Sequence, residues 1–544
     1  MCDGSTPRTR GETASSFGPP RAMEISTLPG LADAMLAPSF YPGPPTEVLL
    51  VETHVSWVFL AGPRAYKLRK PVVFPFLDYG SLERRLHMSC EEVRLGRRLA
   101  NRLYLGVRAV VRNAGGDFEF ADVDAPDAVD YVVEMHRYDG DRTLSALLDR
   151  GEVSEGDIRR VAQRIVAFHA EAEVASDVSL GAQGVGANVD ANFTTMLPFA
   201  EEIGAHLLAA GHRFSVAFVH RHRDLLERRV REGWVRDCHG DLRAEQVILA
   251  DDDVEIPDPV EFDPGLRLTD IAADLAFLVM DLYDANAENL ADVLLAASVA
   301  PGVDYGGQQL LFFYATYRAW VRAKVACMRA GGLPSGAERE RQIHDAHRFA
   351  VLGRTLAWHA RRPIVLVVCG RSAVGKSVIA AELDERSGLQ ILSSDIVRKQ
   401  LTGLAPSDRA PDDAYSEYLT IQTYRELGAR AAESATAGGV IVDATFRSRL
   451  QRDAFTEGFG ESPPAPLYVM CSAPESLLLT RARDRERDPA RISDAGPDIV
   501  ARQAGELDPF DEIPADRVLQ LRTDRPPSDS ADRIEAWLDG LLAP

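Results

Sequence analysis

One segment limits the folds open to this chain more than any other: Gly370-Arg371-Ser372-Ala373-Val374-Gly375-Lys376-Ser377, a complete G-x-x-x-x-G-K-S pattern. It stands directly behind the apolar run Ile364-Val365-Leu366-Val367-Val368-Cys369. The order is strand, loop, helix. Two glycines let the backbone curl until successive N–H groups converge, and the helix that follows adds its positive pole. Such a loop cradles phosphate. All eight residues are expected to line a nucleoside triphosphate, with Lys376 neutralising charge and Ser377 offering its hydroxyl to Mg²⁺.

Lysine usage points the same way. Of 61 lysines and arginines, the lysines are Lys67, Lys70, Lys324, Lys376 and Lys399. Basic charge is supplied by arginine, so a retained lysine marks a place where a compact ammonium is needed. Lys376 fits at once, Lys67 fits below, and Lys324 reads equally well as a surface charge. The formal net charge of -21 opposes general binding to nucleic acid or anionic membrane. Six cysteines without C-x-x-C pairing or zinc-site spacing read as reduced thiols of a cytoplasmic protein. No run is long enough to span a membrane. Residues 1–22 are rich in Ser, Thr, Gly, Pro and Arg, which makes Met23 a plausible initiator and 1–30 an expected disordered tail.

At 544 residues two or three domains are expected. Alternation around Gly62-Pro63-Arg64 predicts a hairpin carrying Lys67 on its second strand, then a helix from Leu82 to about Leu103. Strands are expected at Val107–Val111 and Ala128–Glu134, separated by a turn. Helix follows to about residue 230, interrupted at Gly181–Gly186, then short strands at Gln246–Leu249 and Val254–Ile256. From Thr269 to Ala360 the pattern is again helical. After Pro363, strands at Leu389–Leu392, Gly439–Val442, Pro466–Met470 and Val518–Leu521 alternate with helices, which builds a parallel sheet with helices on both faces.

The second of these strands runs into Ser393-Ser394-Asp395, where a carboxylate facing the γ-phosphate acts as general base or orients an acceptor hydroxyl; the alternative is a helix cap. The third ends in Asp443-Ala444-Thr445, which puts Asp443 beside the loop as a Mg²⁺ ligand or, alternatively, as the cap of a turn. Arg481 and Arg485 share one helix face among Arg483, Arg487 and Arg491. They read either as a lid over the phosphates or as a solvated face.

With Ser394-Asp395, Arg398, Asp443-Ala444-Thr445 and the Arg481/Arg485 segment, the last third of the chain resembles the small P-loop kinases, a group that includes polynucleotide kinase, gluconate kinase and zeta-toxin kinases. The resemblance implies transfer of the ATP γ-phosphoryl group to a small hydroxylated acceptor. A second constellation, Cys238-His239-Gly240-Asp241-Leu242-Arg243-Ala244-Glu245-Gln246 followed by Asp258-Pro259-Val260-Glu261-Phe262-Asp263, resembles the catalytic loop and metal segment of aminoglycoside phosphotransferases and choline-kinase-like enzymes. It implies Asp241 as base, Gln246 and Asp258 as Mg²⁺ ligands with Glu261 or Asp263 as substitutes, and Lys67 on the α/β-phosphates. Glu91 or Glu92 would pair with Lys67, and Tyr131–Met135 would be the adenine hinge. Two positions depart from the pattern, Arg243 where histidine is usual and Gln246 where asparagine is usual. No glycine-rich loop covers the phosphates.

The expected fold is therefore an α+β protein-kinase-like (aminoglycoside phosphotransferase-like) domain at 31–345, a helical linker at 346–362, and an α/β P-loop domain with a parallel sheet at 363–544. The order resembles bacterial two-domain aminoglycoside phosphotransferase-like ATP-binding proteins. The expected activity is ATP- and Mg²⁺-dependent phosphotransfer to a small molecule. Its rival is a regulatory ATP-binding protein with an N-terminal pseudokinase sensor, and polynucleotide end phosphorylation is disfavoured by the acidity.

Overall fold

The computed structural model describes residues 30–542 apart from 75–76, 251–252, 406–407, 409, 462–463 and 487–506. Met23, all of the expected tail but Gly30, and Arg487 and Arg491 lie outside the described residues. The described chain forms two compact units. One holds the residues up to Arg164 with His239–Arg267 and Arg329–Arg339; the other holds Ile165–Cys238, Leu268–Met328 and the chain from Glu340 on.

In the first unit, β1 (Val48–Glu52), β2 (Ser56–Ala61), β3 (Arg64–Arg69), β4 (Tyr104–Arg112), β5 (Phe118–Ala121) and β6 (Asp130–His136) form an antiparallel sheet of order β1-β2-β3-β6-β4-β5. Alternation sorts its two faces. Tyr66 and Leu68 pack with Phe59, Val110 and Val132. Ala65 packs on the other face with Val93, Tyr104, Val133 and Met135, and Lys67, two residues from Ala65, shares that face. Val93 comes from the helix Leu82–Gly96.

Three expectations for this region need correction. The helix stops at Gly96 rather than about Leu103: beyond it the i→i−4 ladder gives way to tighter i→i−3 bonds, from the Arg98 N–H to the Leu95 carbonyl oxygen and from the Leu99 N–H to that of Gly96. The stretch between β4 and β6 contains a further strand, β5, whose alternating Phe118 and Phe120 pack on the sheet. Tyr131–Met135 is no hinge. It pairs with β3 on one side and β4 on the other, so its backbone groups belong to the ladder and are not available to adenine.

The second unit contains the helices Ala182–Met196, Ala205–Arg221 and Ile271–Asp284, the helix Gly307–Gly331 up to Met328, the helix Ala337–Ala360 from Glu340, and then the phosphate-loop domain. The glycines 181–186 begin a helix and do not interrupt one: Gly181 is the N-cap of Ala182–Met196. A Cβ on Gly184 would stand 2.4 Å from the Ser179 carbonyl oxygen, so close packing explains the glycine better than a break does.

Five parallel strands, β7 (Ile364–Cys369), β8 (Ile391–Ser393), β9 (Gly439–Asp443), β10 (Leu467–Ser472) and β11 (Val518–Arg522), form a sheet of order β8-β9-β7-β10-β11. β7 shows why its sequence is an unbroken apolar run. Ile364, Leu366 and Val368 enter one core and Val365, Val367 and Cys369 the other, so both faces are covered. The segment expected as a linker, 346–362, is mostly the second half of the helix Ala337–Ala360. Trp358 on it is buried in a core of the phosphate-loop domain and donates its Nε1 hydrogen to Glu535 Oε1 at 3.0 Å.

Candidate functional site

The phosphate loop leaves β7 and enters the helix Lys376–Ser387. Gly370, Ala373 and Gly375 take φ of 133°, 64° and 104°, the left-handed turns that curl a backbone into an anion nest. Glycine is required at 370 also for space, since a Cβ there would meet the Cys471 carbonyl oxygen at 2.5 Å. The Lys376 ammonium lies across the curl, donating to the Arg371 carbonyl oxygen at 3.1 Å.

Sheet register brings the other groups to this edge. Val368 of β7 is paired with Asp443 of β9, and Asp443 with Ser393 of β8. The Ser377 hydroxyl donates to Asp443 Oδ2 at 2.6 Å. This hydroxyl–carboxylate pair at the start of the loop helix suits a hard cation such as Mg²⁺, which takes oxygen ligands. Asp395 lies half-buried in the first turn of the helix Ser394–Leu401. The N-cap position belongs to Ser393, so neither Ser394 nor Asp395 caps that helix. Arg398, one turn further on, is buried and donates to the Ala414 carbonyl oxygen and Thr420 Oγ1.

Arg481 reaches the loop from the helix Glu475–Glu486. Its Nη1 donates to the Val374 carbonyl oxygen at 2.9 Å and its Nη2 to that of Thr523 at 2.7 Å, while the Thr523 hydroxyl also donates to Val374. Arg481 thus braces the loop with protein carbonyls. Arg485 follows on the helix Glu475–Glu486, and its side chain lies outside the described residues. Sequence reading missed Thr523 and Tyr424. The Tyr424 hydroxyl sits 2.9 Å from Thr445 Oγ1 and accepts from the Phe446 N–H, fixing the turn after Asp443.

The first unit carries a second cluster. Lys67 Nζ donates to Glu92 Oε1 at 2.9 Å and to Asp258 Oδ1 at 3.1 Å. Glu92, not Glu91, is the partner; Glu91 pairs with Arg94. Burial favours loss of the Lys67 proton, but Asp258 and Glu92 outweigh it and hold the ammonium charged. Burial likewise works to raise the Asp258 pKa, and Lys67 holds it below the usual carboxylate range. Asp258 takes φ 58°, a strained setting of the kind that clusters at functional sites. Glu261 belongs to the same cluster, its Oε1 accepting from buried Arg69 and from the Tyr79 hydroxyl. Asp263 accepts from the Gly265 N–H.

In the loop before Asp258, His239 Nε2 bonds the Pro257 carbonyl oxygen at 2.9 Å. Gly240 takes φ 84° where a Cβ would meet Arg267, Leu266 and Val260 at 3.1 Å. Both Asp241 carboxylate oxygens accept from Arg243, at 2.8 and 2.9 Å. Gln246 is half-buried, its N–H bonded to the Arg243 carbonyl oxygen. The arrangement thus joins Lys67, Glu92 and Asp258 directly, with Asp241 engaged by Arg243.

Residues 365–510 match a family model described as an AAA domain. The chain is 30% identical over 475 residues to an uncharacterized protein of Mycobacterium tuberculosis (strain ATCC 25618 / H37Rv), a match covering 85% of this chain and 88% of that one. Among solved structures, a putative aminoglycoside phosphotransferase from Ralstonia eutropha covers 60% of this chain and 98% of its own at 12% identity and TM-score 0.37. A gluconokinase from Sinorhizobium meliloti covers 33% of this chain and 94% of its own at 22% identity and TM-score 0.24.

Proposed function

Because the chain belongs to a bacterial family that joins an aminoglycoside phosphotransferase-like domain to a P-loop kinase-like domain, we propose that it is an ATP- and Mg²⁺-dependent phosphotransferase acting on a small hydroxylated metabolite. The phosphate-loop domain is its principal catalyst. One observation carries this reading: the loop with Lys376, the Ser377–Asp443 pair and Asp395 gather at the carboxyl ends of three adjacent strands, β7, β9 and β8. In the proposed reaction the loop N–H groups and Lys376 hold the phosphates, while Ser377 and Asp443 would hold Mg²⁺, which supplies charge neutralisation when bound. Asp395 orients the acceptor hydroxyl and takes its proton. Arg481 keeps the loop in shape.

Two substitutions in the full chain separate these roles. Lys376→Ala is expected to lower turnover by roughly 10²–10³-fold. Asp395→Asn is expected to leave ATP binding intact and slow transfer by about 10²–10⁴-fold. Undiminished turnover in Lys376→Ala would remove the basis of the proposal.

The engagement of Asp241 by Arg243 and of Lys67 by Asp258 favours a second reading for the first unit alone, a silent ligand sensor in place of a second catalyst. Calorimetry on the Lys376→Ala chain decides between them. Mg²⁺-ATP binding that disappears when Asp258→Ala is added marks a second nucleotide site. Absence of binding before that addition supports the sensor.

A further inference from the structure

His169, Cys238 and Asp274 are scattered along the chain but meet in the second unit. His169 lies near the end of the helix Glu155–Glu171, Cys238 follows the strand Val235–Asp237, and Asp274 lies in the first turn of the helix Ile271–Asp284. All three are fully buried, and one ligand atom from each lies within 4.8 Å of the others. We propose that His169, Cys238 and Asp274 are three ligands of a single bound zinc ion.

The donor set selects the metal. One thiolate, one imidazole and one carboxylate suit Zn²⁺, whereas Mg²⁺ and Ca²⁺ take oxygen ligands alone. Bonds of about 2.0–2.3 Å to a tetrahedral zinc set its ligand atoms roughly 3.3–3.8 Å apart. His169 Nε2 stands 3.1 Å from Asp274 Oδ2, and the cluster's upper limit is 4.8 Å. Closure needs movement of about 1 Å, within reach of side-chain rotation.

Two further features fit. His169 Nδ1 lies 2.9 Å from the Tyr305 hydroxyl. That bond fixes the ring so that Nε2 points at Asp274, as outer-shell partners do for zinc-bound histidines. Charge is the second feature: Zn²⁺ with one thiolate and one carboxylate is neutral, which a fully buried site favours. Cys238 Sγ lies 3.5 Å from the Thr269 carbonyl oxygen, in the position of a thiol donor. Zinc displaces that proton, so binding releases acid and strengthens as pH rises. Positions 169, 238 and 274 have no local spacing, which is why no zinc pattern is visible in the sequence.

The test uses full-length protein grown with added zinc and purified without chelators or a metal-affinity step. Elemental analysis is expected to find one zinc per chain, lost in both Cys238→Ser and His169→Gln while circular dichroism stays unchanged. Cobalt exchanged into the wild type is expected to give a near-ultraviolet thiolate-to-cobalt band and the visible bands of a tetrahedral ion. The cobalt arm keeps the test decisive should a variant fail to fold. Folded wild type that holds no zinc and gives no cobalt–thiolate band overturns the proposal, as does zinc retained undiminished in folded Cys238→Ser.

Discussion

Arg69 is the residue on which the polar interior of the first unit turns. It is 1% exposed, with Glu92 at 2.7 Å, Glu261 at 2.8 Å and the Tyr79 hydroxyl at 2.9 Å. Arg69→Ala leaves two buried carboxylates without their guanidinium, a change expected to cost about 3–5 kcal/mol. Denaturant unfolding checks this, and a loss under about 1 kcal/mol would show the network to be dispensable. None of this was legible beforehand, because Arg69 stands two residues from Lys67 with no motif of its own. The residues that were legible are contiguous. The phosphate loop carries its geometry in eight successive positions, and Asp443 is named by the strand it ends. Choosing between Glu91 and Glu92 needed the rotation of the helix Leu82–Gly96 about its axis. Arg481 read as either a lid or a solvated face, and its bracing role stayed hidden because its partners, Val374 and Thr523, come together only when β7 and β11 join one sheet.

At the scale of elements, the helices Glu417–Thr436 and Arg449–Phe459 cross with their backbones nearly touching. A Cβ on Gly458 would lie 1.9 Å from the Arg425 carbonyl oxygen, and one on Gly428 would lie 2.1 Å from that of Phe455. Gly458→Ala must push backbone against backbone and is expected to cost about 1–3 kcal/mol. Gly540, on the helix Pro527–Leu542, supplies the control, since its Cβ would meet nothing within 4 Å. Gly540→Ala is expected to be neutral or to gain up to about 1 kcal/mol from helix propensity. Equal effects in the two variants, read from urea midpoints, would refute the crossing. Elements marked by an apolar run in the alternating region were visible in the sequence, the three-residue β8 among them: four strands of the parallel sheet fall within two residues of their expected bounds. Elements masked by a neighbouring turn or announced only by a cap were not. β5 hid behind the turn at Asn113–Gly116, and the helix Arg449–Phe459 begins with a Ser448–Gln451 capping box that was not read.

For the whole molecule, the helix Ala337–Ala360 carries the chain into the phosphate-loop domain, and its C-terminal turn is held tightly. His359 stacks on Phe312 at 4.8 Å and meets the Tyr283 ring edge-on. Burial, then the Arg362 charge, lowers its pKa to about 3, against about 6.5 when unfolded. Between those values the unfolded chain binds the extra proton. Stability from this group is therefore fully present above about pH 6.5 and falls as pH drops toward 3, by up to about 1.4 kcal/mol per unit. His359→Phe is expected to flatten that slope in urea midpoints taken between about pH 6.5 and 4.5; an unchanged slope would mean that His359 does not titrate in this way. The sequence indicated two domains but not that the helices from 165 onward, apart from 239–267 and 329–339, would group with the phosphate-loop domain. Contacts such as Arg213 to Asp539, at 3.1 Å, join residues too far apart in the chain for any local pattern to announce. The central claim, that the chain moves a phosphoryl group, is tested most directly by incubating the full-length protein with γ-labelled ATP, Mg²⁺ and a panel of sugars, aminoglycosides and nucleotides. The label is expected in an organic acceptor, dependent on Lys376. Label that stays in ATP, or passes only to water at a rate untouched by Lys376→Ala, would contradict the account.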